Sequence, residues 1–231
     1  MSDEREAVSP VDAPLESLTS RGQDETAAGD DRGQVMDRGL RWFGDFIFRP
    51  ILVFFEKLRI SPNLITLMGM AMAMGSGYFL AVKEVPLAAV LFVTSGVLDL
   101  VDGYVAKKLG KVSVFGSFLD SFSDRISDSA IYLGLAVYYM RLGEGIYVGV
   151  ALVLLVTSFL ISYIRARAEG LGVECKEGLM SRPPRVLALG FGLFFNGISP
   201  WILKIVIVAV AVLMVETLVE RFVFVWRALD R

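Results

Sequence analysis

The chain has 231 residues, 55% of them hydrophobic, with a net charge of -2, one cysteine (Cys175) and no histidine. Apolar residues arrive in runs long enough to cross a bilayer, which marks an integral membrane protein and excludes a soluble multi-domain enzyme. The cysteine and histidine counts exclude an internal disulfide framework, Cys-Cys and His zinc sites and His-dependent triads, so any acid-base or metal chemistry must rest on carboxylates.

Residues 1–35 hold nine acids against three bases. They lack the charged start and apolar core of a signal peptide and offer too little apolar area to fold alone, so a disordered acidic cytosolic tail is expected. In the next stretch, 36–60, Arg38, Arg41, Arg49, Lys57 and Arg59 alternate with Trp42, Phe43, Phe46, Phe48, Phe54 and Phe55. That mixture predicts an amphipathic helix lying in the headgroup region, kinked or split at Pro50.

Six apolar segments follow, at about 63–82, 86–109, 114–140, 145–168, 184–197 and 201–220, each weighed against the roughly 20 apolar residues that one crossing needs. The fifth is short. Asn196, Gly197, Ser199 and Pro200 supply turn signals that separate it from the last, because one unbroken helix over 186–215 exceeds a single crossing. The fold class expected is therefore an all-α integral membrane protein of six transmembrane helices, with a membrane domain over 61–222 and a cytosolic tail over 223–231. Lys107, Lys108, Lys111, Arg165, Arg167, Lys176, Arg182 and Arg185 sit in loops on one side, against Lys83 and Arg141 on the other. The positive-inside rule then puts the basic loops and both termini in the cytoplasm, as expected of a multi-pass cell-membrane protein.

Asp99 and Asp102 are spaced i, i+3 near the predicted cytoplasmic end of the second segment, on one stripe with Gly103 and Ala106. Gly116, Asp120, Asp124 and Asp128 step by four along the start of the third. Two antiparallel helices joined by a short loop can thus turn their carboxylates toward one another. As isolated helix-end acids they could serve as caps or pair with Lys107, Lys111 and Arg125. Four on facing stripes beside glycines are better explained by function, because carboxylates in low dielectric repel one another and are costly in a membrane. A hard divalent ion such as Mg2+ or Mn2+ removes that cost, prefers carboxylate oxygens and bridges substrate phosphates.

The run D99xxD102G103xxA106K107, eight residues, then G116xxxD120xxxD124 resembles the signature of the CDP-alcohol phosphotransferases. These are six-helix membrane enzymes that move a phosphoalcohol from a CDP-linked donor to a hydroxyl and release CMP. The resemblance implies that Asp99, Asp102, Asp120 and Asp124 hold two divalent ions, Mg2+ or Mn2+, and that Asp124 is also the general base. It implies that Gly103, Ala106 and Gly116 line the CDP, and that Asn63 and Thr66 of the SPNLIT stretch approach the nucleotide, although that stretch equally reads as a helix start. Lys107 stands where the family usually has arginine, keeping the charge without the bidentate fork. A homodimer is implied as well, embedded in membrane lipid, with no nucleic-acid partner.

The stretch SYIRARAEGLGVECKEGLMSRPPR, 162–185, is similar to the SYIKARAE and RPxR segments of the phosphatidylinositol phosphate synthase branch and its archaeal counterparts. Arg165 replaces that branch's lysine, and Ser181 and Pro184 replace acids around the RPxR arginines. The resemblance implies an acceptor-phosphate site made by Ser162, Arg165, Arg167, Arg182 and Arg185, suited to charge-assisted bonds. The expected reaction joins a CDP-linked lipid, carrying diacylglycerol or archaeol, to a phosphorylated polyol such as inositol 1-phosphate. Glycerol 3-phosphate is the alternative acceptor. From other classes, a carboxylate-based ion or metal transporter and a non-enzymatic membrane anchor stay open.

Overall fold

The computed structural model describes residues 60–174, 180 and 182–230. The expected acidic tail, the interfacial helix but for Ile60, and Cys175 with Lys176 lie outside the described residues. The chain divides into two units, 1–55 and 56–231, and the described residues all belong to the second.

Six helices and no strand occur among the described residues: α1 (Pro62–Ala81), α2 (Val85–Lys108), α3 (Val114–Arg141), α4 (Gly145–Gly170), α5 (Arg182–Phe195) and α6 (Pro200–Leu229). Local signals set the starts. Ser61 caps α1, accepting from Leu64 N at 3.3 Å, with Pro62 in the first turn. Ser113 caps α3 in the same way through Gly116 N at 3.0 Å. The first four helices end before a residue in the left-handed region, at Lys83, Gly110, Gly143 and Gly172. The final helix runs to Leu229, past the expected limit at 220.

Four helices, α1, α2, α4 and α6, are long and apolar enough to cross a membrane by length and composition. The other two differ for physical reasons. At 14 residues, α5 falls short of a bilayer core. The first fifteen residues of α3 carry Asp120, Asp124, Arg125 and Asp128.

Packing explains how a polar cleft survives in such a bundle. Helix α1 packs against both α2 and α3, and those two do not pack on each other. At the α1–α3 crossing the backbones touch: a Cβ on Gly134 would lie 2.4 Å from Gly77 O, and one on Gly77 would lie 2.2 Å from Ala130 O. We expect Gly134→Ala to force the helices apart and cost about 1–3 kcal/mol, the usual price of overpacking. It should lower the thermal midpoint of the detergent-solubilised protein, whereas Gly149→Ala, with nothing within 4 Å of its added Cβ, should not. An unchanged midpoint for Gly134→Ala would contradict this crossing.

The apolar core joins Tyr132, Leu135 and Tyr139 of α3 to Leu154 of α4, Leu193 of α5 and Leu203, Ile207 and Met214 of α6. Opposite ends of the bundle are chemically distinct. One end is tied by Lys83 Nζ, which donates to Arg141 O at 2.9 Å, and by Lys204, which pairs with Glu144 at 2.7 Å and lies over the Tyr147 and Trp201 rings. The other end holds the carboxylates.

Candidate active site

Three carboxylates from two helices meet at that end. Asp99 on α2 and Asp120 and Asp124 on α3 each offer an oxygen, and these oxygens lie within 4.8 Å of one another. Asp102 stands beside the trio, buried, its Oδ2 accepting from Thr66 Oγ1 at 2.5 Å. That bond places α1 behind the cluster. From the same helix Asn63 approaches Gly116, its Oδ1 lying 3.3 Å from where a Cβ on that glycine would sit.

Between α2 and α3, where no packing closes the bundle, lies a cleft of about 180 Å³. Asn63, Thr66, Gly103, Ala106, Lys107 and Gly116 all line it, together with Asp102, Asp120 and Lys111. A Cβ added to Gly103 would meet nothing within 4 Å, so the backbone there faces open space that a ligand can fill.

From the start of α5, Arg182 reaches into the carboxylates. Its Nη1 donates to Asp99 Oδ2 and lies 3.0 Å from Asp124 Oδ1, while its Nε faces Asp128 Oδ1 at 3.7 Å. Asp124 Oδ1 is buried without a hydrogen-bond partner of good geometry, and its Oδ2 lies 3.7 Å from Arg125 Nη1. Arg185, one turn further along α5, is buried against Asp128 and Ser158.

The remaining expected acceptor residues are more scattered. By helical phase, Ser162 and Arg165 share the α4 stripe of Ser158, with Arg165 exposed and paired to Glu169 at 2.8 Å. Arg167, also exposed, lies on the opposite side of α4 from Ser158, apart from the other basic residues of the set.

The donor set fits a divalent ion. All three clustered ligands are hard carboxylate oxygens, one of them buried and unsatisfied. Four carboxylates, Asp99, Asp102, Asp120 and Asp124, face two guanidinium groups, Arg182 and Arg125, so negative charge stays in excess, an unfavourable balance in a low-dielectric bundle without a further cation.

The family model described as CDP-alcohol phosphatidyltransferase matches residues 59–226. The chain belongs to this family. It is a transferase in a multi-pass, all-helical membrane bundle, and membership decides against the transporter and the anchor.

Among relatives of this CDP-alcohol phosphatidyltransferase, the archaetidylinositol phosphate synthase of Methanothermobacter thermautotrophicus is 32% identical over 79% of this chain and 94% of its own. Among solved structures, the phosphatidylinositol phosphate synthase of Mycobacterium tuberculosis with CDP-DAG bound superposes with a TM-score of 0.70 at 29% identity, covering 77% of this chain and 92% of that one. The same enzyme in complex with manganese and citrate superposes with a TM-score of 0.68 at 28% identity, covering 77% and 88%.

Proposed function

We propose that this transferase joins a CDP-linked lipid, CDP-diacylglycerol or CDP-archaeol, to the hydroxyl of a phosphorylated polyol, inositol 1-phosphate, and releases CMP. The observation that carries the reading is the contact of Arg182 with both Asp99 and Asp124. It supports a site where a cation suited to a phosphate stands against carboxylates grouped with Asp120 of the cleft wall, so that both substrates would meet there. The relatives above, an archaetidylinositol and a phosphatidylinositol phosphate synthase by name, support inositol phosphate as acceptor over glycerol 3-phosphate.

In this reading Asp99, Asp102, Asp120 and Asp124 hold two divalent ions, Mg2+ or Mn2+, which when bound neutralise the pyrophosphate and stabilise charge at the phosphorus. Gly103, Ala106 and Gly116 let the CDP lie close to the helix backbones. Lys107 supplies a positive charge beside it, and Asn63 and Thr66 border it from α1. Arg182 and Arg185, with Ser162 and Arg165 nearby on α4, hold the acceptor's phosphate and aim its hydroxyl inward. Asp124 takes the proton of that hydroxyl as its oxygen attacks the phosphorus bearing the lipid. A new O–P bond forms, the pyrophosphate P–O bond breaks with its electron pair on the CMP phosphate, and the proton resides on the Asp124 carboxylate.

The same reading includes six crossings in the membrane domain 61–222, with the short α5 and the charged half of α3 sheltered by their neighbours. The active site and both termini lie in the cytoplasm, and two copies pair as a homodimer.

Replacing Arg182 or Arg185 with alanine should raise the KM for inositol 1-phosphate by about tenfold to a hundredfold, the value of one charge-assisted hydrogen bond. The KM for the CDP-lipid should stay nearly constant for Arg185→Ala. Equal rises for both substrates would undo the acceptor assignment.

A further inference from the structure

Two polar groups beside the active site, one half-buried and one buried, have no part in the reaction as proposed. Asp128 lies one helical turn, about 6 Å, beyond Asp124 on α3 and outside the GxxxDxxxD run. Ser158, buried, belongs to the apolar stretch of α4. They meet: Ser158 Oγ donates to Asp128 Oδ2 at 2.6 Å. Arg185 Nη1 closes the triangle, donating to Ser158 Oγ at 3.0 Å and lying 3.4 Å from Asp128 Oδ2. On the other side of the carboxylate, Asp128 Oδ1 faces Arg182 Nε at 3.7 Å. One carboxylate thus stands against both arginines.

A tie between helices does not require this chemistry. Burying a carboxylate with guanidinium groups costs more desolvation than a packed apolar contact of the same size, so such a group is poorly explained by stability. It does fix direction. A guanidinium on a flexible side chain loses less freedom on binding a phosphate when one edge is already held.

We propose that Asp128, held by Ser158, is a positioning residue that fixes the Arg185 guanidinium, and gives Arg182 an anionic partner beside Asp99 and Asp124, so that both forks face the acceptor's phosphate. The proposal rests on the acceptor site assigned above. Asp128 touches neither substrate; it acts through the arginines.

The test is steady-state CMP release by the purified full-length protein, varying inositol 1-phosphate and CDP-diacylglycerol separately. Asp128→Asn should raise the acceptor KM about tenfold to a hundredfold, as loss of a charge-assisted bond does, and leave the donor KM within about twofold. Ser158→Ala, which keeps every charge, should move the acceptor KM the same way by about threefold to tenfold, and it carries the test if Asp128→Asn does not fold. Because Asp128 works through the arginines, the Asp128→Asn/Arg185→Ala double variant should lose less acceptor affinity than the two single losses added together. Fully additive losses, a fall in kcat with both KM values unchanged, or an unmoved acceptor KM in both single variants would overturn the positioning role. If Arg185→Ala raises the acceptor KM while Asp128→Asn and Ser158→Ala do not, only the positioning role fails. If Arg185→Ala itself leaves that KM unchanged, the acceptor site fails and takes the inference with it.

Discussion

Asp124→Asn is expected to lower CMP release by roughly a hundredfold to ten-thousandfold, the range that a positioned general base supplies. Asn is nearly isosteric with Asp, so the steric cost is small, but its amide has no basic oxygen for the acceptor's proton. The surroundings give the substitution a clean reading. Asp124 Oδ1 is buried with no well-aligned hydrogen bond to lose, and Arg182 keeps its bond to Asp99 when the Asp124 charge is removed. The variant should therefore fold, and because Asp124 is also a metal ligand in this reading, the test of the base is that kcat stays collapsed at saturating Mn2+. Turnover within about tenfold of the parent enzyme would remove Asp124 from the role of base.

Chelation of divalent ions should abolish turnover, and added Mn2+ or Mg2+ should restore it. The physical reason is the charge balance at the cleft. Asp99, Asp120 and Asp124 crowd their oxygens within 4.8 Å of each other, with Arg182 paired to Asp99 and Asp124 and Arg125 beside Asp124. A pyrophosphate entering that cleft adds further negative charge, and neither Lys107 nor Lys111 on the cleft wall offsets the total. Losing several kcal/mol of charge stabilisation corresponds to at least about a thousandfold in rate. Asp99→Asn and Asp120→Asn should weaken Mn2+ binding, measured directly by the paramagnetic signal of free Mn2+. Full activity in the presence of excess chelator would contradict the metal assignment.

Much of this molecule could be read from residue order because its strongest signals are local. Ser61-Pro62 starts α1 and Asn196 to Ser199 separates α5 from α6, each as turn and cap chemistry requires. The i, i+3 and i, i+4 spacing of the aspartates puts them on helix stripes before any tertiary contact is known. What the residue order hides is partnership across long separations. Thr66 borders the cleft, yet its hydroxyl is bonded to Asp102, a contact between residues on different helices. Ser158 sits in an apolar run and carries no motif; only the packing of α3 on α4 and the reach of the Arg185 side chain from α5 give it Asp128 and Arg185 as partners. Arg165 and Arg167 look equivalent in the SYIRARAE stretch, but helical phase separates them, so one shares the stripe of Ser158 and the other faces away. The gap between α2 and α3 is likewise invisible locally, since it exists because α1 packs on both.

The most direct test is an acceptor screen for CMP release, with purified protein, Mn2+ or Mg2+ and CDP-diacylglycerol, offering inositol 1-phosphate, glycerol 3-phosphate, free inositol and serine in turn. The arginine-lined site predicts release with inositol 1-phosphate and none with free inositol or serine, which lack the phosphate that Arg182 and Arg185 would hold. Release with free inositol equal to that with inositol 1-phosphate, or none with any phosphorylated acceptor, would contradict it.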